Sequence, residues 1–203
     1  MKKIILIFCV SLLIVSCKNN TSEPSTKIDD GGILVPKDIS PGLYSDPIIV
    51  GEFVGELLNE GDTIPDFTIN KGQVDEWSLS DLRGRVVYIK FWRSNCSNCR
   101  VSIPFLVEKY KEINDEGFVV VTVTSDITEK VSLDKTAQFI TEYKMNDWIN
   151  IYDGETKKTS IFKNYSIFGT PNGYLINKKG IIVKRIYPHE ESFISTVNQE
   201  LYK

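Results

Sequence analysis

Residues 85–103 read RVVYIKFWRSNCSNCRVSI, and this stretch decides the fold. Val86 to Trp92 is mostly apolar, β-branched or aromatic, as a buried strand requires. Ile103, Leu106, Tyr110 and Ile113 then recur at helical spacing, which predicts a helix over residues 101–114. Cys96 and Cys99 therefore stand after a buried strand and at the start of a helix. Unpaired amides and the positive end of the helix dipole favour a thiolate there, lowering a cysteine pKa from about 8.5 toward roughly 3.5 to 7.5. Cys96 is expected to be the exposed, attacking sulfur. Cys99, one turn deeper on the same helical face, lies within disulfide reach as the resolving sulfur.

Working outward, residues 118–124 (FVVVTVT) form a near-continuous β-branched run, typical of a strand buried on both faces of a parallel sheet. Residues 132–144 predict a second helix with Leu133, Ala137, Ile140 and Tyr143 on one side. Residues 147–168 predict a short strand at 148–152 and one more short helix. A hairpin follows over 173–176 and 181–186, turning about Asn177-Lys178-Lys179-Gly180, and residues 190–202 predict a closing helix. Before the central stretch, residues 67–69 and 76–79 suggest a short hairpin. The pattern is α/β with a mixed central sheet flanked by helices.

The N-terminus has a different character. Lys2 and Lys3 precede the apolar run Ile4 to Val15, which is short for a membrane span. Ile14-Val15-Ser16-Cys17 resembles the lipobox of bacterial lipoproteins, which implies that residues 1–16 are a signal peptide and that Cys17 is acylated. Residues 18–32 are polar and read as a tether. Residues 33–60 are apolar but interrupted by Pro36, Pro41 and Pro47, so the expected division is a lipidated tether with an irregular extension over 17–60 and a folded domain over 61–203. The protein is then expected in the bacterial cell envelope, lipid-anchored and facing the periplasm or exterior. A net charge of -3 over 203 residues argues against a nucleic-acid surface.

Four cysteines thus divide: Cys9 leaves with the signal, Cys17 carries lipid, and Cys96 and Cys99 remain for chemistry. Two cysteines so close together gain little from loop closure as a structural bridge. A zinc site wants three or four protein ligands, and the only other soft or borderline candidate is His189. No metal and no cofactor are expected. Asp126 and Glu129 read as a helix capping box, and His189 as an exposed residue at a helix start.

Four separated motifs resemble the TlpA and ResA branch of thioredoxin-like proteins. They are Gly61-Asp62-Thr63-Ile64-Pro65-Asp66-Phe67, Leu79-Ser80-Asp81-Leu82-Arg83-Gly84-Arg85, Phe91-Trp92 before Cys96-x-x-Cys99 with Pro104 beyond, and Gly169-Thr170-Pro171 before a strand. The resemblance implies a thioredoxin-like fold with an N-terminal hairpin and a central insertion. It further implies a cis Thr170-Pro171 bond facing the cysteines, a kink at Pro104, and Thr170, Pro171 and Trp92 as the substrate-facing surface. The implied partners are a protein dithiol or disulfide substrate, such as the haem-binding cysteines of apocytochromes c, and a membrane electron donor.

Three positions depart from the branch. Ser102 stands where relatives often carry a glutamate, and Asn95 where an aromatic is usual. Lys90 occupies the place of thioredoxin's buried aspartate. A cation there would tune the sulfurs toward thiolate, but a side chain snorkelling to water is the expected behaviour. Two rival functions remain open. A peroxiredoxin would carry Pro and Thr where Ile89 and Arg93 stand, and a Sco-type copper chaperone would space its cysteines four apart.

The lipid reading has a direct check. Cys17→Ala is expected to abolish incorporation of a fatty-acid analogue and to remove the protein from the lipoprotein fraction; equal labelling of both forms would refute the anchor.

Overall fold

The computed structural model describes residues 39–45, 47–49, 57–156 and 159–203. Cys9, Cys17 and the expected signal peptide and tether lie outside them. Among the described residues, no helix is long and apolar enough to cross a membrane.

Two short strands come first, β1 (Gly42–Ser45) and β2 (Ile48–Ile49). They correct the expectation of a wholly irregular extension over 33–60. These strands lie among prolines and are too short to show a period of two, and their hydrogen-bond partners come from distant segments. Next, β3 (Phe67–Ile69) and β4 (Trp77–Ser78) form the antiparallel N-terminal hairpin, and β2 pairs with β3. The central unit is β5 (Val86–Trp92), α1 (Ser97–Ile113) and β6 (Phe118–Thr124). After it come α2 (Leu133–Glu142), β7 (Ile149–Tyr152) and α3 (Ile161–Asn164). The chain closes with the antiparallel pair β8 (Asn172–Ile176) and β9 (Ile182–Arg185), then α4 (Ser192–Leu201).

The main sheet has six strands in the order β1-β7-β6-β5-β8-β9. β5, β6, β7 and β1 run parallel, whereas β8 is antiparallel to β5. The segment α2–β7 is the central insertion, and it widens the parallel half of the sheet. A parallel interior strand covered on both faces needs apolar residues at successive positions. In β6 all seven residues but Val119 are buried.

Alternation along β5 divides the core in two. Val87, Ile89 and Phe91 face the side covered by the hairpin residues Phe67, Ile69 and Trp77 and by Ile161 and Phe162 of α3. Val86, Tyr88 and Trp92 face Ile103 and Leu106 of α1, Phe139 of α2, and Phe193 and Val197 of α4. α2 buries Thr136, Phe139 and Ile140, with Leu133 41% exposed and Ala137 also exposed. The buried stripe is therefore rotated from the expected one. A polar threonine belongs to it because its hydroxyl has a partner at Asp126. α1 runs unbroken through Pro104 and starts at Ser97 rather than Val101, with Cys96 as its N-cap and Cys99 in its first turn.

The same alternation places Lys90 on the α1 side of β5, between Tyr88 and Trp92. Its side chain is fully buried, which corrects the expectation of snorkelling. β6 and β8 flank the strand and α1 covers it, so no path leads the ammonium to water. Nζ donates one hydrogen bond, to Ser102 Oγ at 2.9 Å. Burial pushes the lysine pKa down from 10.5 to about 7.

Between those two values the folded chain binds fewer protons than the unfolded chain. The stability linked to this group is then present above pH 10.5 and is lost as pH falls, completely so below about 7. Lys90→Met is expected to remove this slope and to stabilise the fold below neutrality by at most about 5 kcal/mol. Urea denaturation at a series of pH values measures both effects. A slope unchanged in the variant would locate the titration elsewhere.

Candidate active site

The carboxyl end of β5 leads through Arg93, Ser94 and Asn95 to Cys96, which is the N-cap of α1. Cys96 and Cys99 are joined in a disulfide with their Cα atoms 5.2 Å apart. The Cys99 amide donates to Cys96 Sγ at 3.1 Å, so the cap position supplies a hydrogen bond to the outer sulfur. A donor aimed at that atom stabilises a thiolate there once the bond is reduced. Cys99 is fully buried, whereas Cys96 is partly exposed. Only the outer sulfur is presented to a partner.

Across from it, Thr170 O lies 3.5 Å from Cys96 Sγ, and the Thr170-Pro171 bond is cis. In the disulfide that sulfur has no hydrogen to donate. As a thiol it would donate to Thr170 O, which opposes the pull of the Cys99 amide toward thiolate.

Trp92, expected on the substrate-facing surface, is fully buried. Its Nε1 donates to Thr122 Oγ1 at 3.1 Å and its ring stacks on Phe139 at 4.8 Å between centroids. It cannot touch a substrate. Alternation along β5 turns it under α1 and α2, with the chain emerging only at Arg93. The exposed apolar side chains instead include Val101 (63%), Phe105 (42%) and Phe168 (86%).

Asp126 also departs from expectation. Residues 126–129 form a single 3-10 turn capped by Ser125, with no side-chain capping bond. Asp126 is fully buried, with Oδ1 accepting from the Ser94 amide at 2.8 Å and Oδ2 from Thr136 Oγ1 at 3.0 Å. Beside it, Arg93 Nε donates to Ser125 Oγ at 2.7 Å, and Asn95 Nδ2 donates to Glu129 Oε2 at 3.3 Å. The turn after β6 thus grips the loop before Cys96. β5 and β6 are parallel with Trp92 opposite Thr124, so the residues that follow each strand emerge side by side. That adjacency is a usable sequence signal, because a polar residue just after one parallel strand faces the loop after its neighbour.

Arg100, in the first turn of α1, supplies a second grip that the sequence reading missed. Its Nε donates to Ser94 O at 2.9 Å, and its guanidinium lies over the Phe139 and Tyr143 rings at 5.1 and 5.9 Å. Beneath Cys99, Ser102 Oγ accepts from Lys90 Nζ and donates to Cys99 O at 3.2 Å. His189 is exposed and stacks on Tyr187 at 5.7 Å, apart from this cluster of contacts. Among the described residues, no three His, Cys, Asp or Glu side chains gather as a metal ion would need.

Known proteins resemble this chain in sequence and in fold. The Redoxin family model matches residues 59–201. Thiol-disulfide oxidoreductase ResA of Bacillus cereus is 27% identical over 131 residues, covering 64% of this chain and 71% of that protein. The thioredoxin domain of a thiol-disulfide oxidoreductase from Bacteroides vulgatus superposes with a TM-score of 0.56 at 27% identity, over 70% of this chain and 97% of that one. A thiol:disulfide interchange protein from Bacteroides sp. does so with a TM-score of 0.58 at 26% identity, over 72% and 92%. The fold is thioredoxin-like, and with the family model spanning both cysteines and every strand from β3 onward, the chain belongs to the Redoxin family.

Proposed function

We propose that this thiol-disulfide oxidoreductase reduces disulfides of substrate proteins outside the cytoplasm, held at a membrane by lipid on Cys17. The observation that carries the reading is the asymmetry of the Cys96–Cys99 pair, with one sulfur partly exposed at a helix N-cap and the other fully buried one turn deeper. In the reduced protein the Cys96 thiolate attacks a substrate disulfide. One substrate sulfur leaves as thiolate, and a mixed disulfide forms. Cys99 then attacks Cys96 Sγ, which releases the second substrate sulfur and leaves the Cys96–Cys99 disulfide. Two electrons have passed to the substrate, and a membrane electron donor returns the pair to the dithiol.

Thr170 and Pro171 border the outer sulfur, where the Thr170 backbone is suited to pair with an extended segment of substrate. Apoproteins of c-type cytochromes, whose haem-binding cysteines must be kept reduced, are a fitting substrate class. The residues between the cysteines, Ser97 and Asn98, are neutral, and no histidine adjoins the thiolate. None of these adds charge to the thiolate in the way a strong oxidant requires. The couple is expected nearer the thioredoxin value of about -270 mV than the strong-oxidant value of about -120 mV.

Two measurements test this. The purified, reduced protein is expected to reduce a model protein disulfide; Cys96→Ser should abolish the reaction, and Cys99→Ser should halt it as a mixed disulfide through Cys96. A Cys96→Ser variant with full activity would refute the assignment. Equilibration with glutathione gives the potential, and a value above about -180 mV, that of protein disulfide isomerase, would reverse the direction.

A further inference from the structure

We propose that Lys90 stores a proton for the redox centre, taking it up when the Cys96–Cys99 disulfide is reduced and giving it up when the disulfide re-forms. The proposal rests on the thiol-disulfide reading and concerns regulation of that same site.

Its basis is a short buried polar chain between β5 and α1. Lys90 Nζ, Ser102 Oγ and the Cys99 carbonyl are linked at 2.9 and 3.2 Å, and Lys90 and Cys99 are both fully buried. Among the described residues no carboxylate forms an ion pair with Lys90. Its neighbours from each packed element can be named. From β6 the opposite residue is Thr122, whose hydroxyl donates to Asn150 Oδ1 at 2.7 Å and accepts from Trp92 Nε1. From β8 it is Gly173, which has no side chain. On its own strand Tyr88 donates to Ile186 O at 3.0 Å, and burial keeps that phenol protonated; Glu190 acts on Tyr88. From α4, Phe193 covers Tyr88. On α1 the groups are Ser102 and Cys99. Cys99 shares the buried cluster of Tyr88 and Trp92, the neighbours of Lys90 on its face of β5, so reduction releases an ionisable thiol on the same side of the strand as the amine.

A buried ammonium without a counter-charge is costly, and a buried amine is not. Desolvation alone brings the lysine to titrate at about 7, where a modest change in nearby charge shifts its protonation substantially. Reduction supplies that change. A dithiol donor gives two electrons and two protons: its own sulfurs join, the Cys96–Cys99 bond breaks, and the pair emerges as one thiol and one thiolate. The first proton stays on the thiol sulfur, and the second resides on Lys90. The product pairs a thiolate with an ammonium, each favouring the charged form of the other by the same free energy.

The test is a pH titration of wild-type protein with 13Cε-labelled lysine, followed by NMR in the oxidised and reduced states, with Lys90 assigned through the backbone. Its midpoint is expected near neutrality in the oxidised protein and at least one pH unit higher after reduction, a tenfold gain in proton affinity. In reduced Lys90→Met, thiolate absorbance should appear at least one pH unit higher than in the wild type. The same midpoint in both redox states overturns the proposal, and because that measurement uses the wild type it stands whether or not the variant folds. Reduction of a model protein disulfide by the same preparation is measured alongside. Its failure defeats the oxidoreductase reading, whereas active exchange with an unmoved Lys90 defeats only the proton store.

Discussion

Parallel pairing of β5 with β6 is the constraint on which the rest depends. Seven consecutive register pairs, from Val86 with Phe118 to Trp92 with Thr124, bring two loops out of the sheet side by side. One loop carries Cys96, and the other carries the carboxylate that receives the Ser94 amide. The pairing also fixes which residues of β5 lie under α1, and so places a lysine rather than an apolar residue below the buried cysteine. A shift of one residue would exchange the two faces, moving Lys90 and Trp92 to the hairpin side and Ile89 and Phe91 beneath the helix.

Much of this was legible in sequence where the signal was local. Residues 118–124 announce a doubly buried strand because every position must be apolar or satisfied within the sheet. The break between strand and helix shows at Cys96, since a capping position needs a side chain that accepts from the next turn, and a cysteine sulfur does so here. Motif order carried the rest of the fold. Legibility failed where a residue's environment is made by distant segments. β1 owes its existence to β7, and the burial of Thr136 to Asp126. Trp92 precedes the cysteines, which suggests the surface, yet α1 and α2 close over it. Lys90 was misjudged because snorkelling needs an open edge, which a central strand lacks.

Charged and aromatic contacts hold the loop that presents Cys96. Asp126, Arg93 and Arg100 tie the cysteine loop to the turn after β6 and to α2, the first part of the insertion. Trp92, Phe139 and Tyr143 stack in sequence beneath Arg100, with centroids 4.8 and 4.1 Å apart. The insertion therefore braces the loop that presents Cys96 in addition to widening the sheet. Hydrogen bonds to charged groups contribute about 1.5–3 kcal/mol each, which suits a loop that must keep its shape while the bond between its sulfurs opens and closes.

The ends of the sheet bear on how copies of the molecule behave when crowded together. An unpaired strand edge is a template on which another chain can build. Among the described residues the outermost strand at one end is β1, only four residues long and bracketed by Pro41 and Pro47, neither of which has an amide hydrogen to extend a ladder. At the other end lies β9, whose outer side is met by residues 61–63, with the Gly61 amide donating to Ile182 O at 2.8 Å and the Ile182 amide to Asp62 O at 2.9 Å; beyond that contact it carries Lys184 and Arg185 and is followed within three residues by Pro188. Neither border offers a long, uncharged run of backbone. The prolines that hid β1 from sequence reading thus also guard the sheet against edge-to-edge aggregation.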